Sequence, residues 1–195
     1  TLKNVFTANG NPASLYTTHT NEYSSIPSGK RKLRFTTNHD LSNEQTPLSV
    51  FGSKKAAEAA SVATLLMNGT PLIYSGQEVG VNQPSIYLTG QPINWNANAD
   101  MLEAYTAMLQ FYKNSDVARK GTITYYNNSD CIVFEKKIGN DKLLIIINSR
   151  STTKTASIPN NLQGNWKNAL LNQSVTISEN VQLNGYEYLI LKSVN

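Results

Sequence analysis

The chain has 195 residues and a formal net charge of +4, a length that allows one or two domains with sizeable cores. One cysteine, Cys131, excludes an intrachain disulfide and a zinc site built on cysteines. No apolar run approaches the roughly 20 residues of a membrane span. The Lys and Arg are scattered, with no basic helix, zinc-finger spacing or Gly-aromatic RNA motif, so nucleic acid is not implied as a partner.

In chain order, Leu2, Val5 and Phe6 predict the last turn of a helix already under way at Thr1, ended by Gly10 and Pro12. A start at Thr rather than Met fits a processed or truncated product. Residues 10–31, rich in Thr, Ser and Asn and broken by Pro12, Pro27 and Gly29, predict a loop, with His19 solvated in it. The basic group Lys30, Arg31, Lys32 and Arg34 reads as a solvated approach to a strand. Leu33 to Thr37 predicts that strand, which delivers Asn38, His39 and Asp40 at its C-terminal end. A polar stretch follows to Gly52. Ser53 then caps a helix predicted over Lys54–Asn68, with Ala56, Ala60, Ala63 and Met67 on one face and Asn68-Gly69 as the stop. Leu72-Ile73-Tyr74 predicts a strand buried on both faces, ending in Ser75-Gly76-Gln77-Glu78. Strand, helix, strand predicts two parallel neighbours, with Asp40 and Glu78 opening onto one face. Residues 79–99 read as an irregular loop carrying Pro84, Pro92 and Trp95. A helix over Asp100–Lys113 buries Met101, Leu102, Tyr105, Met108, Leu109 and Tyr112.

From Gly121 the period changes to two. Strands are predicted at Thr122–Tyr126, Ile132–Ile138, Leu143–Asn148, Thr155–Ile158, near Trp166–Leu171, Val175–Ile177 and Tyr186–Lys192. Asn128-Ser129-Asp130 and Gly139-Asn140-Asp141 supply hairpin turns. Short strands with frequent turns predict an antiparallel sandwich, in which Cys131 is a small strand residue. The boundary falls near Arg119-Lys120-Gly121, giving domains over 1–119 and 120–195.

A His beside a carboxylate offers donor and acceptor together, which suits a polyhydroxylated substrate or a developing positive charge. Asn-His-Asp also suits an ordinary loop, and its context decides. Here the context resembles a family. Phe35-Thr36-Thr37-Asn38-His39-Asp40 looks like the fourth conserved region of glycoside hydrolase family 13, the α-amylase family. Gly69-Thr70-Pro71-Leu72-Ile73-Tyr74-Ser75-Gly76-Gln77-Glu78-Val79-Gly80 resembles that family's eighth barrel strand and the turn after it. Ile93-Asn94-Trp95 is similar to its Ile-Asp-Trp segment, with Asn where Asp is usual.

The resemblance implies an α/β plus all-β fold: the seventh and eighth β/α units of a TIM (β/α)8 barrel, then a C-terminal antiparallel Greek-key β-sandwich. It implies a retaining enzyme acting on α-1,4-glucans such as starch, glycogen or maltooligosaccharides. His39 and Asp40, beside Asn38, would bind hydroxyls of the sugar at the cleavage subsite, and Asp40 would stabilise the oxocarbenium-like transition state. The family's nucleophilic Asp, in a Gly-x-Arg-x-Asp segment, and its acid/base Glu have no counterpart here, and six barrel strands are absent. Retaining glycosidases need two carboxylates about 5–5.5 Å apart. Adjacent strands are about 4.8 Å apart, so distance does not forbid an Asp40–Glu78 pair. The family comparison makes Glu78 supporting structure, and this segment alone is expected to be inactive.

Three functional classes stay open. The first is part of an α-glucan hydrolase, with transglycosylases and isomerases sharing the same motifs. The second is a structural domain that covers the barrel. The third is a carbohydrate-binding module presenting Tyr125, Tyr126, Trp166, Tyr186 and Tyr188, rings that would otherwise pack the sandwich. No cofactor or metal is expected in this segment. Calcium, bound by many relatives, belongs to earlier parts of the barrel, and Glu44, Asp100 and Asp116 are too scattered for a calcium loop. Two barrel strands would leave an open edge, so the expected partners are the missing barrel strands or another copy of the chain. The compartment is not legible; polysaccharide degradation would favour an extracellular or periplasmic one, and a cytoplasmic one stays open.

Overall fold

The computed structural model describes residues 1–83 and 90–194. Positions 84–89, within the irregular stretch expected over 79–99 and including Pro84, lie outside the described residues. The helical half comprises α1 (Leu2–Thr7), α2 (Ala13–Tyr23), α3 (Pro47–Phe51), α4 (Lys54–Leu66), α5 (Ala99–Asn114) and α6 (Asp116–Lys120). Two short strands, β1 (Leu33–Arg34) and β2 (Thr70–Pro71), pair in parallel within it. The eight remaining strands are β3 (Thr122–Tyr126), β4 (Cys131–Ile138), β5 (Asp141–Asn148), β6 (Lys154–Ser157), β7 (Gly164–Asn168), β8 (Ser174–Ile177), β9 (Asn180–Leu183) and β10 (Tyr188–Ser193).

The α4 helix forms where the sequence places it. Ser53 Oγ accepts from the Ala56 N–H at 3.2 Å, and Met67 and Asn68 lead out of it, Asn68 with φ of 50°. The α5 helix also forms, burying Met101, Tyr105 and Met108 but leaving Leu102 37% exposed, contrary to its expected place on the buried side.

Residues 10–31 are not the expected loop. Ala13–Tyr23 is helical, with Leu15 and His19 buried. Its Thr- and Asn-rich sequence has little apolar periodicity, and its stability comes from contacts made elsewhere in the chain, such as Tyr16 stacked on Tyr125 at 5.4 Å. The polar stretch before Gly52 likewise contains α3. A reciprocal cap holds its start: Thr46 Oγ1 accepts from Ser49 N, and Ser49 Oγ accepts from Thr46 N.

The expected strands Leu33–Thr37 and Leu72–Tyr74 are corrected as well. Only Leu33↔Thr70 and Arg34↔Pro71 are in ladder register, and Leu72 to Tyr74 are half-buried rather than enclosed on both faces. A two-strand parallel pair has no flanking strand to extend its ladder or cover its sides.

Strands β3-β4-β5-β10-β7-β8 form one antiparallel sheet, and β6 and β9 a second. The β9 strand was not predicted, and β7 begins at Gly164, ahead of the expected start. Alternation along β4 and β5 sends side chains to two cores. Ile132, Phe134, Leu143, Ile145 and Ile147 face the helices, joining Val5, Phe51, Met101 and Tyr105. Cys131, Val133, Leu144 and Ile146 face the β6–β9 side with Ala156, Leu162, Trp166 and Leu183. The central strands are therefore apolar on both faces, and the helical layer shares a continuous core with the sheet.

Candidate active site at the ends of two parallel strands

The β1–β2 pair is seated by two flanking hydrogen bonds, Thr70 N to Lys32 O and Leu72 N to Arg34 O, both 2.8 Å. Gly69 permits this approach. It has φ of +140°, and a Cβ there would lie 2.5 Å from Arg34 Cγ and 2.9 Å from the Lys32 carbonyl oxygen.

Arg34 is not part of a solvated run. Its Nη1 pairs with Glu22 Oε2 at 2.6 Å and its Nη2 meets His19 Nδ1 at 3.2 Å. His19, expected to be solvated, is 8% exposed and lies beside the Tyr16 and Tyr23 rings. Burial first, then the Arg34 charge, lowers its pKa to about 4, so it is neutral against the guanidinium at physiological pH. This cluster braces β1 from below, and no local pattern in the sequence announces it.

At the C-terminal end of β1 the chain turns tightly. Asn38 accepts twice, from Leu41 N at its Oδ1 (2.8 Å) and from Ser42 N at its carbonyl (2.9 Å). Ser42 Oγ donates to the His39 carbonyl at 3.0 Å. Asn38 thus shapes the turn that presents the next two residues. His39 Nε2 lies 3.3 Å from Asp40 Oδ1, and the two side chains are 67% and 75% exposed. The structure therefore brings Asn38, His39 and Asp40 together, with the pair open to a ligand and Asn38 oriented beneath it.

The turn after β2 lies at the corresponding end of the strand paired with β1. Gly76 and Gly80 both have left-handed backbone, with φ of 89° and 61°. Between them Gln77 is buried, its Nε2 donating to Tyr105 OH at 3.0 Å and Ser61 Oγ at 3.2 Å. The Tyr105 and Ser61 hydroxyls are 2.6 Å apart. Burial pushes the Tyr105 phenol up to about 12, which keeps it a neutral hydrogen-bonding group. This network pins the turn carrying half-buried Glu78 to α4 and α5. Sequence reading assigned Gln77 no role, because its partners lie 16 and 28 residues away.

The rings weighed as a sugar-binding surface are engaged in packing. Trp166 is buried and donates from Nε1 to the Leu162 carbonyl at 2.8 Å. Tyr125 stacks on Tyr16, Tyr186 on Phe6, and Tyr126 OH meets Glu135 Oε2 at 3.3 Å. A cavity of about 610 Å³ lies between α4, α5 and the segment entering β10; Tyr186 and Tyr188 line it, and none of Asn38, His39 and Asp40 does. Among the described residues no group of three or more His, Cys, Asp or Glu is placed to hold a metal ion. Asp100 pairs with Lys54 at 2.6 Å, and Asp116 with Arg119.

Residues 4–137 match the family model described as the catalytic domain of alpha amylase. Alpha-amylase 2 of Dictyoglomus thermophilum is 30% identical over 130 residues, covering 60% of this chain and 22% of that protein. A cyclomaltodextrin glucanotransferase of Paenibacillus macerans is 29% identical over 123 residues, covering 61% of this chain and 16% of its own length. The structure of the α-amylase from Geobacillus thermoleovorans, complexed with acarbose, superposes with a TM-score of 0.78 at 15% identity, over 97% of this chain and 45% of that one. The chain thus shares its fold with an α-amylase and spans about a fifth of the length of these curated relatives.

Proposed function

The chain belongs to the alpha-amylase family, and from that premise we propose that it is the C-terminal portion of a glycoside hydrolase acting on α-1,4-glucans by a retaining mechanism. Residues 1–119 act as the seventh and eighth β/α units of a (β/α)8 barrel, and residues 120–195 as a Greek-key β-sandwich behind them. The observation that carries this reading is the exposed His39–Asp40 pair, 3.3 Å apart, at the C-terminal end of a strand paired in parallel with β2. That end of a parallel barrel is where catalytic groups sit.

In this role the Asp40 carboxylate faces the sugar ring at the cleavage point. It opposes the positive charge that grows as the glycosidic bond breaks, and it accepts hydrogen bonds from ring hydroxyls that strengthen in the transition state. His39 binds hydroxyls of the same sugar, and Asn38 fixes the turn that holds both. The nucleophile and the acid/base come from strands of the longer protein, which complete the barrel along the open edge of β1. This segment alone is inactive and needs no cofactor; calcium, where present, is bound by the earlier part of the barrel.

The test is Asp40→Asn in the longer enzyme, assayed on maltooligosaccharides. The expected result is a loss of about 10²–10³-fold in kcat with the fold intact. A loss below threefold would remove Asp40 from the chemistry. Hydrolysis by the 195-residue chain alone would make Asp40 and Glu78 the catalytic pair instead. The glucanotransferase similarity favours one second reading, an α-glucan transglycosylase. Linear products released with retained anomeric configuration support hydrolysis, and cyclic or lengthened products support transfer.

A further inference from the structure

The sequence contains three Asn-Gly pairs, Asn9-Gly10, Asn68-Gly69 and Asn184-Gly185. In such a pair the glycine nitrogen can attack the asparagine side-chain amide, because no Cβ shields it. The structure sets the three apart. Gly10 N donates to the Asn4 carbonyl at 3.0 Å, which holds its proton and makes the nitrogen a poor nucleophile. Asn68 Oδ1 is buried without a hydrogen-bond partner, away from the water that the reaction consumes. Gly185 differs on both counts. Its N–H makes no hydrogen bond among the described residues. Asn184 and Gly185 also line the cavity of about 610 Å³ between α4, α5 and the segment entering β10, which leaves room for a five-membered ring and for water. Packing requires glycine at 185, since a Cβ there would collide with the Ser151 carbonyl oxygen. The Glu187 N–H returns to the Asn184 carbonyl at 3.1 Å and Tyr186 has φ of 59°, so the chain makes a tight turn here. The Glu187 carboxylate accepts from Asn184 N at 2.7 Å and from Asn184 Nδ2 at 3.0 Å. It thus holds the amide nitrogen that would leave.

We propose that Asn184 is a site of spontaneous deamidation, and that this modification loosens the junction between the sheet and the helical half. Gly185 N gives its proton to water and bonds to Asn184 Cγ. Nδ2 takes up a proton, the Cγ–Nδ2 bond breaks and ammonia leaves, with a cyclic imide left behind. The Glu187 carboxylate, bonded to Nδ2, stabilises the positive charge that this nitrogen gains as it departs. Water then adds to either carbonyl of the imide and reopens the ring. One opening gives aspartate; the other gives isoaspartate, whose main chain runs through the side-chain carbon. The chemistry needs no substrate and holds whatever the chain acts on. Either product sets a second carboxylate beside Glu187, where like charges repel and the Nδ2 hydrogen bond is lost. Isoaspartate also lengthens a turn whose bonds are already matched. Asn148 Nδ2 donates to the Leu183 and Asn184 carbonyls at 3.2 and 2.8 Å, and Tyr186 N to the Arg150 carbonyl at 2.9 Å. Tyr186 stacks on Phe6 of α1 at 6.3 Å, so displacing the turn weakens a contact between the sheet and the first helix.

In the experiment the longer protein is kept folded in warm, mildly alkaline buffer, sampled over weeks and digested under acid conditions for peptide mapping by mass. A second portion is treated identically in urea. In the folded protein Asn184 is expected to convert about tenfold faster than Asn9 or Asn68, a modest difference in barrier. In urea the three rates should draw together, because local sequence alone then acts. The thermal midpoint of wild type should fall as conversion proceeds. That of Asn184→Gln should stay constant, since the longer side chain closes its ring far more slowly. A rate at Asn184 no faster than at Asn9 and Asn68 in the folded protein overturns the site. Conversion at Asn184 with an unchanged midpoint overturns its effect on the junction. Mapping of wild type decides the site even where Asn184→Gln fails to fold.

Discussion

Arg150 Nη1 donates to the Val5 carbonyl at 2.6 Å, joining residues 145 positions apart and tying the first helix to the antiparallel sheet. The same guanidinium bonds Asp130 Oδ1 at 2.8 Å, Ser149 Oγ at 2.9 Å, and the Gly10 and Ser129 carbonyls at 3.0 and 3.1 Å. Arg150 is 6% exposed, so its charge is compensated by these partners rather than by water. Arg150→Ala should cost about 3–5 kcal/mol in urea unfolding, because it strands both the carboxylate and the carbonyls. Arg150→Lys should recover only a small part, since one ammonium cannot reproduce the planar fork. A cost below 1 kcal/mol for Arg150→Ala would show that the junction does not depend on this residue.

Lys136 is fully buried on β4 and donates from Nζ to the Ala118 carbonyl in α6. Burial, and then the nearby Arg31 charge, lowers its pKa from 10.5 to about 7. The folded state therefore holds fewer protons than the unfolded state between those values. Stability should rise with pH from about 7 to about 10.5, with a slope approaching ~1.4 kcal/mol per pH unit. Lys136→Met should remove that slope and stabilise the protein at pH 7. Denaturant unfolding at four pH values across the window decides it, and an equal slope in both proteins would assign the effect to other groups.

His19 gives a second, separate pH window. Its folded pKa of about 4 lies below the unfolded value of 6.5, so protonation favours unfolding. The stability it contributes is complete above about pH 6.5 and is lost as pH falls toward 4. His19→Gln should flatten that part of the profile. NMR titration of the imidazole in the folded protein should give a midpoint well under 6; a midpoint near 6.5 would mean that the ring is hydrated.

Gly69→Ala should be severe although it adds one methyl group. The methyl would meet Arg34 Cγ and the Lys32 carbonyl oxygen, on a backbone of φ +140° that L residues rarely adopt. Relief requires parting β1 from β2, which displaces the turn bearing His39 and Asp40. The expected result in the longer enzyme is a fall in thermal midpoint together with a fall in kcat. A variant with wild-type kcat would show that the strand pair does not position the site.

Several elements were legible because their causes are local. The alanine-rich periodicity, Ser53 and Asn68-Gly69 specify α4 between them. Alternation specifies β3, continuous apolar runs bounded by short turns specify β4 and β5, and Phe35 to Asp40 with Gly69 to Gly80 identifies the family. Asn38, His39 and Asp40 are adjacent in sequence, so one turn brings them together whatever surrounds it.

What the tertiary structure decided depends on partners distant in the chain. The α2 helix is stabilised by Tyr125 and Arg34 rather than by its own composition, so a propensity reading makes it a loop. Arg34 looks like one of four surface cations until Glu22 and His19 fold over it. The β10 strand inserts between β5 and β7, and β9 finds β6 across an intervening strand pair. Hydrophobic period states that a strand exists and which face is apolar, but strand pairing is a choice among distant segments of similar pattern, made by shape and core volume.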